Sequence, residues 1–304
     1  MRSPHPLPAT TPPTFAVRDA PALGIPQHRL RRGDLAAPFR GARSTNPPAS
    51  TEDLCAAARR VVRDDAFICG PTAAILWGIP LPGRLAEAPD IHIGHPHRVR
   101  PTRLRGTIGH HYVITASELT RIDDLAITTP ERTWCDLAAV LTVEELVAAG
   151  DRILWSRAPM ARPADLDAMA RAHPGRRGRG IRAAALPLLS ASADSPAESV
   201  LRIRFQRAGL PAVFPNHEVR RPDGRRARID LAFVDFRVGV EHEGDHHRTE
   251  RTQWRHDLRR IAALEDAGWS MIRATGDDLS DTRPLIDLVA RRLRSRGWNG
   301  APCP

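Results

Sequence analysis

The chain has 304 residues, 41% of them hydrophobic, and carries a formal charge of +10 with an isoelectric point near 11.0. That length and apolar content suffice for two cored domains and exclude a disordered chain, while the charge points to a polyanionic partner, nucleic acid first. Four dispersed cysteines without CxxC spacing (Cys55, Cys69, Cys135, Cys303), no apolar run near the ~18 residues of a membrane span and no apolar signal core predict a soluble cytoplasmic protein, with neither zinc ribbon nor disulfide framework.

Residues 1–14 are rich in Pro and Thr and read as a disordered tail. Residues 15–50 form two short amphipathic pieces broken at Gly24-Ile25-Pro26 and followed by the basic "PFRGAR". This order suits a helix-turn-helix with a wing-like hairpin, with Arg29, Arg31, Arg32, Arg40 and Arg43 facing phosphates. A basic helical hairpin with solvated arginines fits the same residues. The chain has no lysine; arginine suits bidentate phosphate contacts, although the abundance of Ala and Pro traces the same bias to GC-rich coding.

Residues 51–157 read as an α/β domain. A helix over 52–63 precedes a short buried run, a turn at Gly70-Pro71 and a helix stopped by Gly78 and Pro80. "PDIHIGHP" and "GHHYVITASEL" have strand character, and two helices follow, opened by Pro130 and by the capping pair Thr142 and Glu145. His92, His95, His97, His110 and His111 match no ligand spacing and are expected as scattered surface residues. Residues 158–194 form a helical basic connector around "PGRRGRG".

"GPTAAILWGIPLP" and "LAITTPERTWCDLAAVLTVEELVAAGDRIL" together resemble AbiEi-like type IV abortive-infection antitoxins over residues 15–157. The resemblance implies a winged helix, a second α/β domain and a DNA-binding repressor role, with a cognate toxin or a second copy of the chain as further partners.

Residues 195–296 carry most of the chemistry, and 297–304 read as a tail. Ser195, Pro196 and Glu198 open a helix as N-cap, N1 and N3. Glu198 also lies on the inward stripe with Leu201, Phe205 and Ala208, so it fits a capping box and a site equally. "VFPNHEVRR", "ARIDLAFVD" and "RVGVEHEG" read as three strands, the first two joined by a turn at Pro222-Asp223-Gly224. A tight turn near Asp235-Phe236 sets Asp230 opposite Glu241. Alternation then puts Ile229, Leu231, Phe233, Val238 and Val240 on one apolar face and Asp230, Glu241 and Glu243 on the other. Three neighbouring anions repel unless a cation sits among them, and hard oxygen ligands suit Mg2+ or Mn2+; a solvent-facing acidic edge is the competing reading. A helix with Trp254, Leu258, Ile261 and Leu264 inward, a fourth strand and a closing helix give the order α-β-β-β-α-β-α.

That order, with "SPAES", "RIDLAF", "VGVEHEGDHHR" and "AGWSMIRAT", resembles the PD-(D/E)XK nucleases, nearest the very-short-patch-repair (Vsr-like) branch. The resemblance implies a restriction-endonuclease-like domain with a mixed central sheet. Its metal ligands would be Glu198, Asp230 and Glu241, and it would be a magnesium-dependent endonuclease of DNA in genome defence or repair. Where the superfamily carries a lysine this chain has Glu243, and His246 or His247 would share the catalytic work, act as second-layer partners or lie at the surface. The departure keeps a second reading in play, a non-catalytic DNA-binding antitoxin-like regulator with a degenerate nuclease domain.

Overall fold

The computed structural model describes residues 5–221, 224–243 and 260–303. It divides into two compact units, Met1–Val140 with Ala164–Arg179 and Leu141–Pro163 with Gly180–Pro304. Both are mixed α/β, and the described residues form three sheets.

In the first unit a small antiparallel pair, β1 (Thr14–Ala16) and β2 (Ala42–Ser44), accompanies a five-stranded sheet. Its strands are β3 (Phe67–Ile68), β4 (Ile91–Pro96), β5 (Thr107–Tyr112), β6 (Leu119–Ile122) and β7 (Leu125–Thr128), in the order β5-β4-β3-β7-β6. Helices α1 (Thr51–Arg59), α2 (Gly70–Trp77), α3 (Gly83–Ala86) and α4 (Pro130–Leu137) pack with it. The local chemistry is that expected: the Asp53 N–H donates to Ser50 Oγ at 3.2 Å to cap α1, and Gly78 ends α2 with φ +64°. A Cβ on Gly94 would lie 2.2 Å from the Phe67 ring, so only glycine fits between the strands there.

Two expectations for this unit need correcting. Residues 5–50 contain no α-helix among the described residues, only single 3-10 turns at Val17–Asp19 and Arg29–Arg31, so they do not form a helix-turn-helix. Pro21, Gly24, Pro26 and Gly33 leave no segment long enough for two α-helices. Arg29 is buried and forked onto Asp34 at 2.8 and 2.6 Å, and Arg43 donates to the Leu30 and Ala42 carbonyls. Those two arginines brace the chain instead of facing phosphates. Three of the five histidines are also not surface residues: His95 is fully buried, and parallel pairing of β4 with β5 brings His92 against His110, while His97 and His111 are exposed as expected.

The region expected as a connector is divided between the units. Helix α5 (Val143–Leu154) falls in the second unit and α6 (Pro163–Ala172) lies almost wholly in the first. Glu144 and Asp151, seven residues apart, share one face of α5. Asp151 accepts from Arg202 at 2.8 Å, and Glu144 accepts from Arg204 and Arg207 at 3.1 and 2.8 Å. Helix α7 (Arg179–Ala185) follows.

The rest of the second unit keeps the expected order, with one extra short helix. Helix α8 (Pro196–Arg207) leads into β8 (Phe214–Arg220), β9 (Arg226–Phe233) and β10 (Val238–His242). Residues 260–266 are helical (α9), followed by β11 (Ser270–Ala274), α10 (Gly276–Ser280) and α11 (Arg283–Ser295). The sheet runs β11-β10-β9-β8, antiparallel except for the parallel β10–β11 pair. Leu201 and Phe205 of α8 and Leu285, Val289 and Leu293 of α11 pack on Leu231, Phe233, Val238 and Val240. Leu264 of α9 and Trp269 pack with Ala232 on a second core, so the sheet is covered on both faces.

Ile229 belongs to that second core and not with Leu231, which corrects the simple alternation. Beside the site the β8–β9 register runs from the Pro215–Leu231 pair to the His217–Ile229 pair without a bridge at Asn216, whose φ is +53°.

Candidate active site

Leu231 faces Val240 across the β9–β10 ladder, so the next step sets Asp230 beside Glu241. There the ladder gives way to a side chain, the His242 N–H donating to Asp230 Oδ2 at 3.0 Å. That bond fixes the Asp230 carboxylate at the end of the paired strands. Glu241, on the adjacent position of β10, is 4% exposed. Its Oε2 accepts from Arg260 Nη2 at 2.5 Å, and the same guanidinium donates to the Arg228 carbonyl at 3.0 Å. Its Oε1 is buried and accepts no hydrogen bond among the described residues.

Glu198 resolves part of its ambiguity. Its N–H donates to Ser195 Oγ at 3.2 Å, and its Oε2 accepts from the Asp194 N–H at 2.9 Å and from Asn216 Nδ2 at 2.8 Å. It therefore secures the start of α8, as a cap does, while remaining near enough to Asp230 for their charges to repel. Burial first, and then the charge of Asp230, push the Glu198 and Glu241 carboxyls up to about 7. Burial also raises Asp230, against the pull of the His242 N–H and Arg260. Three carboxyls in one electrostatic neighbourhood, two of them (Glu198 and Glu241) held partly protonated near neutral pH, are costly to keep and typical of a functional pocket.

Among the described residues no three His, Cys, Asp or Glu side chains converge closely enough to hold an ion. Glu198, whose Oε2 secures the helix start, does not converge with the other two closely enough to share an ion, so the expected three-carboxylate ligand set reduces to Asp230 and Glu241. That pair still fits a hard divalent cation, because Mg2+ is commonly held by one or two carboxylates and keeps several waters. The unsatisfied Glu241 Oε1 is the oxygen such an ion would use.

Glu243 does not join the pair: it is half exposed and bonded to Arg273 at 3.2 Å. Its N–H donates to the Ala274 carbonyl, extending β10 along β11. His246 and His247 lie outside the described residues, as do Trp254 and Leu258 of the expected inward face. The residues that sequence reading missed are Arg260 and Asn216. Arg260 had a signal, since it stands four residues before the fully buried Leu264 on α9 and so faces the sheet. Asn216 had none, because its role depends on a local break in β8.

The chain is 27% identical over 230 residues to two uncharacterized proteins of Mycobacterium tuberculosis, one from strain CDC 1551 and one from strain H37Rv. The match covers 75% of this chain and 81% of each relative. No family model matches the chain. No solved structure matches it either.

Proposed function

We propose that the second unit hydrolyses phosphodiester bonds in DNA with the help of Mg2+ or Mn2+. The observation that carries this reading is the buried Asp230–Glu241 pair with one carboxylate oxygen left unsatisfied. Asp230 and Glu241 would hold the cation, the His242 N–H keeping Asp230 in place. When bound, such an ion polarises a phosphodiester and lowers the pKa of water. Glu198 anchors α8 beside them, and its raised pKa lets it carry a proton near neutral pH. Arg260 supplies the positive charge that Glu243 cannot, from α9 instead of β10. As an arginine it stays protonated, so it would steady phosphate oxygens and not move protons. The charge of +10 suits a DNA partner. The resemblance to Vsr-like nucleases adds the expectation of 5′-phosphate and 3′-hydroxyl ends.

The second reading, a DNA-binding antitoxin-like regulator without catalysis, draws support from the same arginine: its guanidinium is paired with Glu241, which makes that carboxylate a weaker ligand. Supercoiled plasmid incubated with the protein and Mg2+ or Mn2+ separates the two. Nicking that disappears in Asp230→Asn and Glu241→Gln supports the first. Salt-dependent binding without nicking supports the second, and nicking that persists in both variants removes the first.

A further inference from the structure

Helix α5 ends at Leu154, and the residues after it are tied to the segment that precedes α8. The Ser156 N–H donates to the Ala191 carbonyl at 2.9 Å, and the Ser190 N–H donates to Asp151 Oδ1 at 2.7 Å. These bonds bring Trp155 and Arg157 to Asp194, the residue before the α8 cap. Trp155 Nε1 donates to Asp194 Oδ1 and Arg157 Nη2 to Asp194 Oδ2, both at 2.8 Å. Arg228 reaches the same Oδ2 from β9, its Nη2 lying 2.6 Å away.

Two guanidiniums therefore converge on one carboxylate oxygen, no farther apart than those two contacts allow. One arginine would neutralise Asp194. A second adds repulsion and costs the freedom of another long side chain. Arg152 brings a third cation: its guanidinium and that of Arg157 lie over the Trp155 ring, 5.4 and 5.7 Å from the centroid. The indole thus holds arginines and is not open to stack a base. The side chains of Arg157 and Arg228 are 54% and 40% exposed. Among the described residues neither guanidinium makes a further hydrogen bond, so most of their N–H groups remain for another acceptor.

This cluster borders the carboxylates of the candidate site. The Asp194 N–H donates to Glu198 Oε2, and the charge of Asp194 bears on Asp230. Arg228 stands two residues before Asp230 on β9, and its carbonyl accepts from Arg260, the partner of Glu241. Arg152, Arg157, Arg228 and Arg260 then face Asp194, Asp230 and two glutamates that are about half protonated at pH 7. Positive charge is left over before any metal binds. Exposed forks with spare N–H groups and no free aromatic face suit phosphate oxygens and not base edges.

We infer that Arg157 and Arg228, with Arg152 beside them, grip the phosphate backbone of a DNA strand next to Asp230 and Glu241. This grip deepens the function proposed above and rests on it, since it names the arginines that would lead the strand to the carboxylates.

Anisotropy of a short fluorescent duplex with the full-length protein, in EDTA and across a range of salt, tests the grip without cleavage. Arg157→Gln combined with Arg228→Gln should weaken binding about tenfold or more near 0.1 M salt and flatten the slope of log affinity against log salt by about 2. The lysine pair, Arg157→Lys with Arg228→Lys, keeps both charges and should keep the slope. Arg291→Gln with Arg292→Gln removes the same charge from exposed positions of α11 and should stay within about twofold of wild type. Thermal unfolding checks the glutamine pair; if it does not fold, each single variant should lower the slope by about 1. A wild-type protein that does not bind the duplex overturns the inference. So does a slope unchanged in the folded glutamine variants, a slope lost in the lysine pair as well, or an equal loss in the α11 variant. Nicking is read separately. Cleavage that depends on Asp230, with the slope unchanged by the glutamine pair, removes the grip and keeps the chemistry, and a duplex held through Arg157 and Arg228 but never cut does the reverse.

Discussion

Replacing Asp230 by asparagine keeps the acceptor for the His242 N–H but removes the charge that, added to burial, holds Glu198 and Glu241 protonated. In the wild-type protein both glutamates titrate near 7, against an ordinary value of 4.5. Between those values the native state retains protons that the unfolded chain has released. Stability therefore falls as pH rises through that window and levels off above it. At 1.36 kcal/mol per pH unit, each glutamate accounts for about 3 kcal/mol of lost stability at pH 8. Burial is the larger cause, so removing the charge of Asp230 restores only part, about 1–2 kcal/mol. Denaturant unfolding in EDTA measures it at pH 5 and pH 8. Asp230→Asn should be more stable than wild type at pH 8, with the advantage shrinking toward pH 5. A variant less stable than wild type at pH 8, or one offset equally at both pH values, refutes the electrostatic reasoning.

Arg260→Ala removes the cation from Glu241 and should cost about 1–3 kcal/mol of stability at pH 8, yet bind Mn2+ more tightly by calorimetry, because the guanidinium no longer competes; weaker Mn2+ binding would count against a shared site. Arg202→Leu strands the buried Asp151 and should lower the unfolding free energy by about 3–5 kcal/mol at pH 7, with most of it regained when Asp151→Asn is added; a loss under about 1 kcal/mol would show that α5 does not depend on that pair. Gly94→Ala drives a methyl group into the Phe67 ring and should cost about 1–3 kcal/mol by thermal unfolding, partly relieved by Phe67→Leu.

Much of the second unit was legible because its signals are local. Strand alternation and a tight turn near Asp235 were enough to set Asp230 beside Glu241, and the register observed through Leu231 and Val240 agrees. Ser195, Pro196 and Glu198 announced the start of α8 in the same way, as Thr142 and Glu145 did for α5. What failed depends on distant partners. Ile229 packs in the second core instead of with Leu231, and nothing near residue 229 signals it. The arginines of residues 15–50 looked solvated because charge patterns do not reveal which cation a distant carbonyl or Asp34 will bury. The His92–His110 contact needed the parallel register of β4 and β5, a long-range fact. α5, expected within residues 51–157, falls in the second unit for a similar reason: Asp151 and Glu144 meet Arg202, Arg204 and Arg207 from about sixty residues further along the chain.

Titration of the apo protein with Mn2+ near pH 7.5, followed by electron paramagnetic resonance, tests the central claim most directly. The account predicts a saturable site in the wild-type protein that disappears in both Asp230→Asn and Glu241→Gln. A wild-type protein that binds no Mn2+, or binding that survives both substitutions, would contradict it.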